Sequence, residues 1–324
     1  MWTRGDTNIR SPDHTNPLAN GTLTTNYYLR VQVLQRILLD IVLPVFAVVL
    51  LGYGYAKRVK PDMTYVNRIS LNVLSPALIF SALTSRDFEV GEHVLLMIGT
   101  VAVVLGSGLV AWPVARALRV DPKTFVPPMM FNNCGNMGLP LAMLAFGAAG
   151  FPQMVAMFAI SNLLQFTLGV WLVNHHARFI HLLRNPMVWS TVIGFACALL
   201  RPSLPQWLVT SIKLVGDALI PMMLLSLGVR LSDVRWSEWR LGAIGAIVRP
   251  LSGVAIALLI APLLGLTTTQ KGLLVLFGGL PPAVLNFMVA EQFRQEPAKV
   301  ASIVLIGNAA AIAFVPLALR IALR

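Results

Sequence analysis

Apolar runs of about twenty residues recur along most of this 324-residue chain, each able to cross a hydrocarbon core roughly 30 Å thick as a helix. Backbone N–H and C=O groups find no partner in lipid, so such runs must pair internally as helices. The alternating ten-residue strands of a membrane barrel are missing from the sequence. Only 12% of the residues are charged, against roughly 25% in a soluble domain. The sequence therefore predicts an all-α integral membrane protein.

Ten spans are expected, over 36–56, 66–84, 93–117, 125–147, 151–174, 186–201, 208–230, 240–265, 271–291 and 298–321. Residues 1–35 are polar and lack the central apolar stretch of a signal peptide, so they read as a disordered tail. The net charge of +12 lies in short clusters between the apolar runs. That placement fits orientation in a bilayer, not a nucleic-acid face, and no nucleic-acid partner is expected. The connections after spans 1, 3, 5, 7 and 9 hold most of the Lys and Arg, including Lys57, Arg58, Arg116, Arg119, Arg178, Arg184, Arg230, Arg235 and Arg294. Those connections read as cytoplasmic and both termini as non-cytoplasmic.

The chain resembles itself at an offset close to 145 residues. Asn72, Pro76 and Ser81 recur as Asp217, Pro221 and Ser226. Ile98-Gly99 recurs as Ile244-Gly245, and Val155-Ala156 with Asn162 recurs as Val300-Ala301 with Asn308. Because five is odd, a five-span repeat must lie inverted in the membrane, as in many secondary transporters. The expected domains are 36–175 for the first repeat and 186–322 for the second.

Helix-weakening residues interrupt corresponding spans of the two halves. One is Asn132-Asn133-Cys134-Gly135-Asn136-Met137-Gly138-Leu139-Pro140, and the other is Gly278-Gly279-Leu280-Pro281-Pro282 followed by Asn286. A broken helix exposes backbone groups at bilayer depth and is tolerated where it lines a wet cavity or is buried in protein. Paired interruptions point to a transport site. Half-helix N-termini there would attract an anion, with Asn132, Asn133 and Asn136 adding hydrogen bonds. Further polar residues deep in the spans are Asn72, Ser161, Asn162, Asp217, Arg249 and Asn308. Arg249 should sit ~13 Å into its helix, where a charge must be paired or face water. Rise counting leaves three roles open for it and Asp217: an ion pair, a carboxylate contact by Arg249, or a proton or cation site at Asp217.

Other features carry less. Cys134 and Cys197 lack metal-ligand spacing and read as packing residues, as do Met222 and Met223. His175, His176 and His181 share a basic connection without an acidic or Cys partner and read as solvated. No HExxH, GxSxG, P-loop or paired-carboxylate motif occurs, so neither an enzyme nor a cofactor or metal site is expected.

Leu43-Pro44-Val45-Phe46 with Leu51-Gly52-Tyr53, the Asn72–Phe80 segment, Asn132 through Leu141, Pro221 through Gly228, and Arg249-Pro250 together resemble the auxin efflux carrier family. The resemblance covers about residues 36–321. It implies ten helices divided into a scaffold and a transport domain with two crossed helices. It also implies small carboxylate substrates such as malonate, malate or an auxin-like acid. By the same resemblance Asn136, Gly138, Pro140, Ser161 and Asn162 should line the site, with Asn72 nearby. The short connection between spans 5 and 6 favours a bacterial-type member of the plasma (inner) membrane.

The leading expectation is therefore a secondary carrier of a small organic anion. Its binding set would be Asn132, Asn133, Gly135, Asn136, Gly138, Pro140, Ser161, Asn162, Arg249, Gly279, Pro281, Pro282 and Asn286, supported by Asn72, Asp217 and Asn308. A sodium-coupled anion carrier of the bile-acid or arsenite type, and a channel or sensor on the same scaffold, are the competing readings. Proton or sodium coupling and a homodimer are left open.

Overall fold

The computed structural model describes residues 35–85, 88–175, 185–232 and 238–323, together with residue 32. The N-terminal tail, His176, His181, Arg178, Arg184 and Arg235 lie outside those residues. The described chain is helical and contains no β-strand, only one isolated bridge between Asn132 and Pro282. In chain order the helices are α1 (Arg36–Val59), α2 (Thr64–Leu83), α3 (Val90–Ala117), α4 (Pro122–Met130) and α5 (Cys134–Val173). They continue as α6 (Pro186–Leu200), α7 (Gln206–Leu231), α8 (Trp239–Leu263), α9 (Thr268–Gly279), α10 (Leu285–Gln292) and α11 (Pro297–Ala322).

Seven of these, α1, α2, α3, α5, α7, α8 and α11, are long and apolar enough to cross a membrane. Helix α6 is apolar but has 15 residues. Large side chains point outward from them, with Leu109 76% and Leu200 80% exposed. In water such faces would drive association; in a bilayer they meet acyl chains. An integral membrane protein follows. The uninterrupted spans begin and end within a few residues of the sequence expectation.

Local sequence explains the ends. Asp121 caps α4 by accepting from the Lys123 N–H at 2.9 Å, and Pro122 occupies the first turn, where no acceptor is needed. Asn185 caps α6 in the same way through the Met187 N–H. A reciprocal Thr267–Gln270 capping box opens α9. At 40 residues α5 would run ~60 Å if straight. It bends at Gly147, whose φ of 66° and ψ of −161° only glycine adopts readily.

Packing draws the two halves together. Helix α1 lies against α7, and α8 lies against α9 and α11. The α1–α7 contact is backbone to backbone: a Cβ on Gly228 would strike the Val49 carbonyl, and one on Gly52 the Leu225 carbonyl. A polar staple joins the start of α4 to the connection before α11. The Thr124 hydroxyl donates to Glu296 Oε2 at 2.6 Å, and Gln295 Nε2 donates to Asp121 Oδ2 at 2.9 Å. Lys299 pairs with Glu296 from the other side. Burial pushes the Glu296 carboxyl up, but the donors Lys299 and Thr124 outweigh it and hold it below the ordinary carboxylate value.

Candidate functional site

The two expected interruptions meet. Chain 131–133 between α4 and α5 lies antiparallel to chain 280–284 between α9 and α10. The Asn133 N–H donates to Pro281 O at 2.7 Å, and the Ala283 N–H donates to Phe131 O at 2.9 Å. Pro281 and Pro282 suit an unwound segment because they bring carbonyls without an N–H to satisfy.

Side chains from one half complete the backbone of the other. Asn132 Nδ2 donates to Phe277 O at 2.6 Å, near the end of α9. Asn286 Nδ2 donates to Phe131 O, beside the end of α4, at 3.0 Å. Asn133 Nδ2 donates to Asn308 Oδ1 at 2.6 Å, and Asn308 Nδ2 donates on to Pro282 O at 2.9 Å. Gln165 Nε2 donates to Asn286 Oδ1 at 3.1 Å. Arg249, fully buried, donates from Nη1 to Gly278 O at 3.1 Å. The carbonyls that a helix C-terminus leaves open are thus occupied by amide and guanidinium donors.

The opposite polarity holds at the N-termini. Helix α5 starts at Cys134 and α10 at Leu285; the Met137 and Gly138 N–H groups donate to Asn133 O, and those of Asn286 and Phe287 to Ala283 O and Val284 O, so the N–H groups of the residues just before them are the ones a helix N-terminus leaves over. Gly135 and Asn136 from one, and Ala283, Val284 and Leu285 from the other, line a shared cavity. Partial positive charge from both half-helices therefore converges there. Asn133, Ser161, Asn162 and Gln165 add polar lining, and Phe158, Met187, Met223 and Met288 add an apolar wall. The Asn162 Nδ2 group is buried and has no hydrogen-bond partner in the protein, whereas Asn308, at the matching position in α11, is saturated. The only ionisable side chain with a full charge on this lining is Arg230, whose recorded hydrogen bond goes to Met288 Sδ at 3.8 Å. Among the described residues no carboxylate lies within 4 Å of it, but Glu291, on the adjoining cavity, is near enough for its charge to act on Arg230.

Three lining groups sit on π-helical turns: Ser70 and Leu71 on Ser70–Leu74, Gly135 and Asn136 on Cys134–Gly138, and Gln165 on Gln165–Gly169. A π turn inserts an extra residue and rotates the following side chains, which is why such turns concentrate at functional sites.

Of the expected residues, Asn132, Asn133, Gly135, Asn136, Ser161 and Asn162 line this cavity. Pro281, Pro282, Asn286 and Asn308 belong to the crossing itself. Gly138 packs under it, where a Cβ would meet Leu280, and Pro140 is buried in α5. Gly279 is buried against Ala318. Asn72 is exposed and lines a neighbouring cavity with Asp62, Arg68 and Glu291. Asp217 does not pair with Arg249: it is exposed and accepts from Lys213 at 2.7 Å. Equal height in the membrane does not bring two side chains to facing sides of their helices. Sequence reading missed Asn67, Ser70, Gln165, Ser226 and Arg230, all on the lining. The polar residues among them at helical spacing, Asn67 and Ser70, were a usable signal.

The chain is similar in sequence to proteins described as transporters. The family model described as membrane transport protein matches residues 169–319, a stretch that includes Arg230, Arg249, the α9–α10 interruption and Asn308. An uncharacterized transporter of Methanothermobacter thermautotrophicus is 28% identical over 213 residues, covering 60% of this chain and 68% of the relative. An uncharacterized transporter of Methanocaldococcus jannaschii is 22% identical over 298 residues, covering 83% of this chain and 93% of the relative. The auxin efflux carrier resemblance read from the sequence is borne out by these matches.

Proposed function

We propose that this chain, whose residues 169–319 match the family model described as membrane transport protein, is a secondary carrier of a small organic anion. Its site would be the cavity at the crossing. One observation carries the reading: backbone carbonyls at the crossing are occupied by amide and guanidinium donors, with Asn132 Oδ1 left as a buried acceptor, while the N-termini of two half-helices, the Asn162 Nδ2 group without a partner among the described residues, and Arg230 converge on the cavity. Such a surface stabilises negative charge.

The carrier reading takes α4 with the first part of α5, and α9 with α10, as two interrupted spans. With α5 beyond Gly147 counted separately, the chain then crosses ten times. Residues 36–175 and 186–322 form two inverted five-span repeats around the crossing, and cargo reaches it alternately from either side. We read the termini as non-cytoplasmic and the setting as a bacterial-type inner membrane. Malonate, malate and auxin-like acids are the substrates we would try first. A sodium-coupled mechanism of the bile-acid or arsenite type needs converging oxygen ligands, and no described carboxylate lines the inner cavity.

The test is counterflow. Liposomes containing the purified protein are loaded with unlabelled malonate, malate or indole-3-acetate, and uptake of the labelled anion is followed for wild type and Asn136→Ala. Asn136 is buried and lines the cavity. Saturable uptake that the substitution abolishes supports the proposal. No counterflow with any of the three anions removes the organic-anion reading.

A further inference from the structure

Among the described residues the inner cavity is lined by one positive side chain and no negative one, and that count limits what can bind. Its lining contains Asn67, Asn132, Asn133, Asn136, Asn162 and Gln165, which are neutral, and Arg230. The nearest further charges lie next door. Asp62, Arg68 and Glu291 line the neighbouring cavity, and Arg230, Asn67, Leu71 and Met288 line both, so these four form the common wall. Arg230 thus stands at the threshold between a space of mixed charge and one of amides, hydroxyls and apolar side chains.

We propose that Arg230 is the specificity-determining residue for this carrier, and that it favours anions carrying a single negative charge, which narrows the acids named above to the auxin-like monoacids and disfavours malonate and malate as dianions. The inference rests on the organic-anion reading. One carboxylate entering the cavity meets the guanidinium, which offers a planar fork of donors matched to it. The uncharged remainder of the cargo then lies among amides and the Phe158, Met187 and Met223 side chains. A second ionised carboxylate on the same molecule would have to give up water with no cation to replace it, because Arg230 is already engaged. Partial charges at the half-helix N-termini amount to about half a unit each. Spread over backbone dipoles and fading within a turn, they hold a carboxylate less well than a guanidinium fork does, so a second ionised carboxylate is stabilised less than the first. A desolvated charge without a partner is strongly disfavoured.

The experiment compares charge classes in the same proteoliposomes at about pH 8, where dicarboxylates of ordinary acidity are doubly ionised. Labelled butyrate and indole-3-acetate are the monoanions, and succinate and malonate the dianions. Wild type should favour at least one monoanion over both dianions by about tenfold or more. Arg230→Gln should lose on the order of 100-fold in affinity for the monoanion, the usual result of truncating one partner of a buried charge pair. Arg230→Lys should restore part of it.

If Arg230→Gln fails to fold, Leu71→Lys carries the test. It adds a second cation on the common wall and should raise dianion uptake relative to monoanion uptake. Wild type that transports the dianions as well as the monoanions overturns the inference while leaving the carrier reading intact. So does an Arg230→Gln protein that keeps its affinity and selectivity, or a Leu71→Lys protein whose preference is unmoved. No uptake of any of the four anions overturns the carrier reading and this inference together.

Discussion

Replacing Asn286 by alanine should destabilise the crossing by about 2–5 kcal/mol. The side chain is 5% exposed and makes three hydrogen bonds. It donates to Phe131 O and Ala283 O at 3.0 Å each, and accepts from Gln165 Nε2 at 3.1 Å. The two carbonyls each keep a backbone donor, from the Ala283 and Asn286 N–H groups, so each loses about 0.5–1 kcal/mol. Gln165 is buried and loses its recorded partner, which costs about 1–3 kcal/mol. The sum places the variant well below wild type in a denaturant titration in detergent. A double-mutant cycle with Gln165→Leu isolates the last term. The second substitution removes the stranded amide, so the double variant should cost less than the two singles added. Asn286→Ala within about 0.5 kcal/mol of wild type, or strict additivity of the pair, would refute the reasoning.

Other outcomes follow from the same structure. Arg249→Met should keep thermal stability near wild type, because removing a desolvated guanidinium gains roughly what freeing the Gly278 carbonyl loses, about 1–3 kcal/mol each way. Counterflow should fall, since α9 loses an anchor on its last turn; a collapse of stability instead would mean that the guanidinium has an ionic partner. Gly147→Ala should cost about 1–3 kcal/mol through backbone strain alone, because no atom lies within 4 Å of the added Cβ. Gly228→Ala should also drive α1 and α7 apart, and a neutral melting curve for either would contradict the geometry. For Glu296 the folded carboxyl is held low, so its contribution is fully present above the unfolded value of about 4.3 and lost as pH falls through the folded value. Melting scans on the acid side of pH 5 should show that extra loss in wild type and not in Glu296→Gln.

Much of this was legible in the sequence because lipid imposes simple rules. Long apolar runs must be helices, so the uninterrupted spans emerged within a few residues. Glycine and proline amid asparagines marked both interruptions, and those two segments lie against each other. What escaped was the direction in which side chains point. Arg230 sits in the last turn of α7, where a cation also complements the helix C-terminus, so its place in the sequence reads equally well as a connection charge. Asn286, read as a binding residue, and Asn308, read as a support, both spend their amides on backbone carbonyls. Asp217 and Arg249, expected at a similar depth from helical rise, face different neighbours. Gln165 is brought to the crossing by a π-helical turn that no spacing rule announces.

The crossing also bears on how such a chain is made. A ribosome delivers α1 to α5 first. At that moment Asn133 has neither Pro281 nor Asn308 to bond, and Phe131 lacks the amide of Asn286. Unpaired backbone is poorly tolerated in lipid. The first half therefore cannot reach its final form as it leaves the insertion machinery, and must wait, sheltered or near water, for α9 through α11. Assembly is in this sense posttranslational even in a protein inserted span by span. The two halves, expressed as separate polypeptides severed between α5 and α6, should each be degraded alone and survive together.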